Sequence, residues 1–219
     1  MESISTFKKG GDEMVKKGIR LACKYSFNCQ HANLLDATET LKKVSLGAEM
    51  HADDIKEILK KLDTYPFYKA IAKINNIDDP FDIRVISYYW RGTPKLKGNL
   101  WHNFTTLLPI KNLPMRHIDT NLIDDCLVHH AVITHSSPDK IIAKYFPVDK
   151  ENKVLKILER AKSKEVKNIF FGKIKNGEIV TIHFSHIIEK IDVPSAITID
   201  NLTRQSLKKF NDIRADIKV

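Results

Sequence analysis

Asp124-Asp125-Cys126-Leu127-Val128-His129-His130-Ala131-Val132-Ile133-Thr134-His135 is the stretch whose reading decides the fold. Its alternate positions Leu127, His129, Ala131 and Ile133 would share one face of an extended strand, with Val128, His130, Val132 and Thr134 on the other, so the period of two predicts a strand over 126–134. A thiol opens that strand, two carboxylates precede it and three histidines follow. Before this stretch the apolar residues recur at helical spacing. After it they alternate.

On the N-terminal side, Val15, Ile19, Ala22, Cys23 and Phe27 step by three and four residues and predict a helix over 12–27, with Cys23 as a small core residue. A second helix is expected over 33–44, with Leu34, Leu35, Leu41 and Val44 inward. Ile55, Ile58, Leu59 and Leu62 mark a third, started by Asp53 and Asp54 and ended by Lys60 and Lys61 in the sense the helix dipole favours. Pro66 suits the first turn of a fourth, running to Ile74. Asp79-Pro80 reads as cap and first residue of a fifth, which runs to Trp90 and is stopped by Gly92. Pro94, Gly98, Pro109 and Pro114 then break the chain into an irregular connector that holds Trp101-His102-Asn103-Phe104.

On the C-terminal side, further strands are expected over 140–148, 153–158, 166–174 and 178–186, the last two joined by a hairpin at Asn176-Gly177. Val193-Pro194 and Asp200-Asn201 mark starts of a closing helix with Leu202, Leu207, Phe210 and Ile213 on its apolar side. The fold class that follows is α+β. A helical domain with its connector fills 1–114, and a small OB-like β-barrel with a C-terminal helix fills 115–219, closure of the sheet removing exposed edges.

Composition limits the functions on offer. The chain has 219 residues, 42% of them hydrophobic and 29% charged, as expected of a globular protein with a real core. The net charge of +9 is spread over both halves and only seven of the 36 basic residues are Arg, which favours a lysine-rich solvated surface over bidentate phosphate or guanine recognition. Gly is scarce at eight residues, and no G-x-G-x-x-G or G-x-x-x-x-G-K-[ST] loop occurs, so nucleotide-cofactor enzymes drop down the ranking. Three unpaired-looking cysteines, no leader-like segment and no bilayer-length apolar run lead to the expectation of a cytoplasmic chain with reduced thiols and no membrane partner.

Chemistry is expected around Cys126. The odd separation of Cys126 from His129 sends their side chains to opposite faces of a strand, which argues against a zinc site made with His135. A histidine from the closing strand, His183, could instead meet an accessible Cys126 and hold a soft metal fragment with it. The same pair, or Cys126 with His130, would suit a Cys-His enzyme if Asp125 oriented the imidazole, although nothing marks an oxyanion hole. Cys29-Gln30-His31 offers too few ligands to close a site and reads as a loop. The competing explanation makes all these histidines hydrogen-bonded packing residues. A further alternative is single-stranded nucleic-acid binding, with Tyr145, Phe170 and Phe171 as stacking platforms beside lysines.

Pro66-Phe67-Tyr68, Asp79-Pro80-Phe81-Asp82, Val85-Ile86-Ser87-Tyr88-Tyr89-Trp90-Arg91-Gly92, Trp101-His102-Asn103-Phe104, Asp125-Cys126 and Ile182-His183-Phe184-Ser185-His186 together resemble an uncharacterised prokaryotic family whose members tend to be encoded beside nickel-iron hydrogenase genes. The C-terminal half is also similar to the HypC-type hydrogenase maturation chaperones, through Cys126 and its hydrophobic strand, Asn176 to His183, Ile187 to Asp192 and the terminal helix. That likeness implies a small barrel whose cysteine and later-strand histidine hold an iron-cyanide-carbonyl precursor. By position these are Cys126 and His183, with His130 as a third candidate ligand and Asp125, His102 and His186 as supporting groups. The partners it implies are the hydrogenase large subunit or other maturation factors. In those chaperones the cysteine is N-terminal, whereas Cys126 is internal, and Ser185-His186 replaces the usual small residues.

Overall fold

Helical spacing ahead of residue 100 becomes real helices in the computed structural model, which describes residues 3–27, 35–49 and 51–217. The elements are α1 (Ser3–Ser26), α2 (Leu35–Ser45), α3 (Ala52–Leu59), α4 (Tyr65–Ile74) and α5 (Ile83–Arg91). Ile19, Ala22, Cys23, Leu41, Val44, Ile55 and Leu59 are buried as their spacing predicts. Pro66 lies in the first turn of α4, where its missing N–H costs nothing. Asp82 rather than Asp79 caps α5, its side chain accepting from Arg84 N at 2.8 Å, and Gly92 closes that helix in the left-handed region at φ 75°. Cys29-Gln30-His31 and Leu34 lie outside the described residues.

These helices belong to the first of two compact units, Met1–Leu100 and Trp101–Val219. Its core is aromatic. Tyr25 stacks on Trp90 with centroids 4.6 Å apart, and Trp90 Nε1 donates to the Tyr68 hydroxyl at 3.0 Å. Contact between α1 and the start of α5 depends on Gly18, because a Cβ there would lie 1.8 Å from the Phe81 carbonyl oxygen.

The second unit begins at Trp101, so residues 101–114, expected with the helical part, sit with the sheet. Trp101 Nε1 donates to Ser206 Oγ at 2.5 Å, and Leu107 is buried with Leu207 and Phe210. A short α6 (His102–Thr105) and two 3₁₀ turns lead to α7 (Thr120–Cys126), and the chain ends in α8 (Val193–Ile217). Near the end of α8, Arg214 donates to the Lys111 and Leu113 carbonyls at 2.8 and 2.6 Å, which pins the connector to this helix.

Strands β1 (His129–Ser136), β2 (Ile141–Tyr145), β5 (Lys162–Glu165), β6 (Ile179–His183) and β7 (His186–Lys190) form one antiparallel sheet in the order β5-β2-β1-β6-β7. Strands β3 (Val148–Glu151) and β4 (Val154–Ile157) make a separate hairpin, turned by Asn152 and Lys153 at φ 52° and 64°. The sheet's edge strands do not pair with each other. The chain just beyond β5 meets β7 through a single parallel bridge, where Lys167 N donates to Ser185 O at 2.8 Å and Ile187 N to Lys167 O at 2.9 Å. One sheet face covers a core that includes Ala131, Ile133, Ala143, Val180, Ile182 and Ile187. A second core gathers Leu107, Ile123, Leu127, Val148, Leu155, Leu207 and Phe210, each large apolar side chain contributing about 2 kcal/mol on burial.

Several boundaries differ from the sequence reading. Cys126 ends a helix and does not open a strand, because the Asp119 side chain caps Asn121 and Leu122 N–H at 3.0 and 3.2 Å and the turn continues to Leu127 N on Ile123 O. The expected strand 140–148 breaks at Phe146-Pro147 between β2 and β3. Residues 166–174 form no strand; Lys162–Glu165 takes the edge beside β2 instead. The run 178–186 is a hairpin in itself, turned by Phe184 and Ser185 at φ 46° and 61°. Asn176-Gly177 turns the chain, with Gly177 at φ 84°, but it joins no two neighbouring strands. Among the described residues no helix is long and apolar enough to cross a membrane.

Candidate functional site

Three successive residues at the end of α7 hold three separate clusters, all within the second unit. Asp124 is the most enclosed. Its carboxylate accepts from the Tyr145 hydroxyl at 2.6 Å and from Val148 N at 2.7 Å. His129 Nε2 lies 2.9 Å from the Asp124 carbonyl and 3.1 Å from its carboxylate. Both are acceptors, so Nε2 carries the proton. Burial works to raise the Asp124 carboxyl, but the bonds from His129, Tyr145 and Val148 outweigh it and hold the group below the usual carboxylate range. The Tyr145 hydroxyl is pushed up, by burial first, then by its hydrogen bond to Asp124 and by the Asp124 charge.

Asp125 faces outward and pairs with Lys164 on β5, whose ammonium also sits 5.9 Å from the centre of the Tyr145 ring. Its backbone carbonyl accepts from Phe184 N at 3.0 Å, which fastens the β6–β7 turn to α7.

Cys126 is the meeting point the sequence singles out, though through its main chain. His102 Nε2 and His183 Nε2 stand 2.9 and 3.1 Å from the Cys126 carbonyl oxygen. A carbonyl only accepts, so both rings carry their proton on Nε2. The two imidazoles pack edge to face at 5.3 Å, and His183 also packs against Phe184 at 4.8 Å. Cys126 is 4% exposed as a residue, and its thiol is pushed up to about 12 by burial, with the Asp125 charge adding to the effect.

The remaining expected residues lie elsewhere. His186 donates from Nδ1 to the Phe184 carbonyl at 2.8 Å and starts β7 beside the Lys167 bridge. His130 lines a trough of about 430 Å³ between the sheet and α8, together with Val132, Phe146, Val193, Ile197 and Arg204. Its pKa is lowered, chiefly by burial. Among the described residues no three His, Cys, Asp or Glu side chains converge as a metal-ligating group. Tyr145 is 6% exposed with its hydroxyl spent on Asp124, so it offers no stacking face for a base. Phe171 packs against the sheet core.

The chemistry of this donor set can be weighed against an iron fragment. Iron of that kind needs a thiolate and an imidazole lone pair. With Nε2 donating to the Cys126 carbonyl, the lone pair of His183 is on Nδ1, while the burial that raises the Cys126 thiol opposes the thiolate an iron fragment would need. The same burial argues against an activated Cys-His nucleophile. What the arrangement does well is mechanical: α7, α6, β1, β2 and β6 are bound together through one carboxylate and one carbonyl. Asp124, His129, Tyr145 and Lys164 were not singled out as a group in the sequence, and only the adjacent acids Asp124-Asp125 within an apolar run hinted at them.

No family model, no curated protein and no solved structure matches the chain.

Proposed function

We propose that the chain is an accessory protein of nickel-iron hydrogenase maturation that works by docking on the hydrogenase large subunit or on another maturation factor, with no iron ligand supplied by Cys126. The hydrogenase connection rests on the sequence resemblance. The docking half is supported by one observation: Cys126 and His183 are both buried, and burial holds the thiol in its protonated form. A buried thiol of this kind is poorly placed to take up and hand over a metal cargo. The sheet is read as an incompletely closed small barrel, supported by the Lys167 to His186 bridge that links the segment after β5 to β7.

The test is purification of the tagged chain from cells that make the hydrogenase, under anaerobic conditions, as wild type and Cys126→Ala. Large-subunit precursor in both preparations, with iron at background in both, is the expected outcome. Absence of the precursor overturns the hydrogenase assignment. Iron that is present in the wild type and lost in the variant overturns docking without metal.

A further inference from the structure

Val132, Phe146, Val193 and Ile197 are 39%, 42%, 57% and 56% exposed, and all four line the trough between the sheet and α8. They are four of the ten large hydrophobic side chains exposed among the described residues, and none of the other six lines it. Val132 is the unexpected member, since it sits on the central strand β1, paired on one side with Lys144 and on the other with Ile179. An apolar side chain on a central strand is normally covered by the fold itself. Concentration of exposed apolar surface in one place marks a binding site.

The lining also selects the form of the occupant. Strands β1 and β6 have neighbours on both sides and the opposite wall is the helix α8; β4, with a neighbour on one side only, lines the trough through Ile157 alone, and its Leu155 is already bonded to Asn211 of α8. An extended peptide laid there would find partners for few of its backbone groups, whereas a helix satisfies its own. The trough is half-open and about 430 Å³, which suits a row of side chains from one helix face.

Charge narrows it further. Asp200 and Arg204 neutralise each other at 2.7 Å, and burial favours the neutral form of His130. Glu159, exposed on the rim, is in no ion pair among the described residues. The trough therefore carries a surplus carboxylate on a chain whose net charge is +9. A second copy would bring the same strongly basic body, so mutual repulsion disfavours it.

We infer that this trough docks an amphipathic helix of a partner protein, which places an apolar stripe on Val132, Phe146 and Ile197 and a lysine or arginine beside Glu159. The inference rests on the docking function proposed above and assigns its surface.

The probe is a synthetic amphipathic helix with leucines at i, i+3, i+4 and i+7 and lysines along one flank, compared with a twin carrying glutamates, both titrated into the full chain by fluorescence anisotropy. The lysine peptide should bind the wild type and lose about tenfold or more in affinity to a Val132→Asp, Ile197→Asp variant, as truncating a central anchor does. Val154→Asp, an equally exposed apolar position outside the trough, should bind as the wild type does. Glu159→Lys should move preference toward the glutamate peptide by about fivefold, the scale of an exposed charge contact. Circular dichroism and melting of each variant establish that it is folded. Failure of both peptides to bind, equal binding by the trough variant, or concentration-dependent dimerisation abolished by Val132→Asp, Ile197→Asp each overturns the inference. Large-subunit precursor that co-purifies equally with wild type and trough variant removes the trough and leaves the hydrogenase assignment standing; peptide binding without any precursor does the reverse.

Discussion

His183 Nε2 donates to the backbone carbonyl of Cys126 across 3.1 Å, so these two residues are joined through main chain. The bond has a counterpart from His102 at 2.9 Å on the same oxygen. Two N–H donors on one carbonyl leave the ring tautomers fixed and the end of α7 held between α6 and β6. If this is structural, His183→Gln should keep much of the bond through its amide N–H, and His183→Ala should not. We expect His183→Ala to cost about 2 kcal/mol and His183→Gln about half that, read from urea denaturation midpoints. Equal costs would show that the donor is immaterial.

Thiol reactivity follows from the burial of Cys126. A shift from 9.0 to about 12 lowers the thiolate fraction about a thousandfold at neutral pH. Iodoacetamide labelling of the native chain, read peptide by peptide by mass spectrometry, should therefore leave Cys126 nearly untouched over times that label it fully in denaturant. Cys23, raised to about 12 by burial, should be protected too. Rapid native labelling of Cys126 would overturn both the burial and the docking function built on it.

Two histidine-bearing stretches, with His129, His130 and His135 in one and His183 and His186 in the other, were legible in the sequence, as was the alternative that such histidines are hydrogen-bonded packing residues; the particular acceptors of His102, His129 and His183 were not. Alternation in Ala131, Val132 and Ile133 gave away β1, because one face packs on the core and the other does not. The helix α7 was hidden, since Cys126-Leu127-Val128 continues the apolar run of the strand and only the Asp119 cap marks the helix, at its far end. Strand β5, Lys162-Ser163-Lys164-Glu165, shows no apolar alternation because it is an exposed edge. The β6–β7 turn uses Phe184 and Ser185 at positive φ, where glycine or asparagine would have announced it. Convergence of Asp124, His129 and Tyr145 needs three elements folded together, which no local pattern encodes.

Acid should unlock that last cluster. The Asp124 carboxyl is depressed in the folded chain, so its contribution is fully present above the unfolded value of about 3.9 and is lost as pH falls through the folded value. Stability measured by urea between pH 7 and pH 3 should fall less steeply in Asp124→Asn than in the wild type. At pH 7 the variant itself should be about 3 kcal/mol less stable, because an amide presents an N–H to donors that need acceptors. Parallel curves for the two proteins would mean that Asp124 is not the titrating group.

Gly18 supplies a test confined to the first unit. The Cβ of an alanine there would lie 1.8 Å from the Phe81 carbonyl oxygen and 2.9 Å from Ile83 N, both backbone atoms that cannot rotate away. Alanine's better helix propensity inside α1 is worth only about 1 kcal/mol. The overlap costs about 3 kcal/mol, so the steric term wins and Gly18→Ala should destabilise. Hydrogen exchange should report the loss in α1, α4 and α5, around the stacked Tyr25 and Trp90, while amides of β1 and β6 keep their protection. Equal loss of protection in β1 and β6 would show that the two units unfold as one.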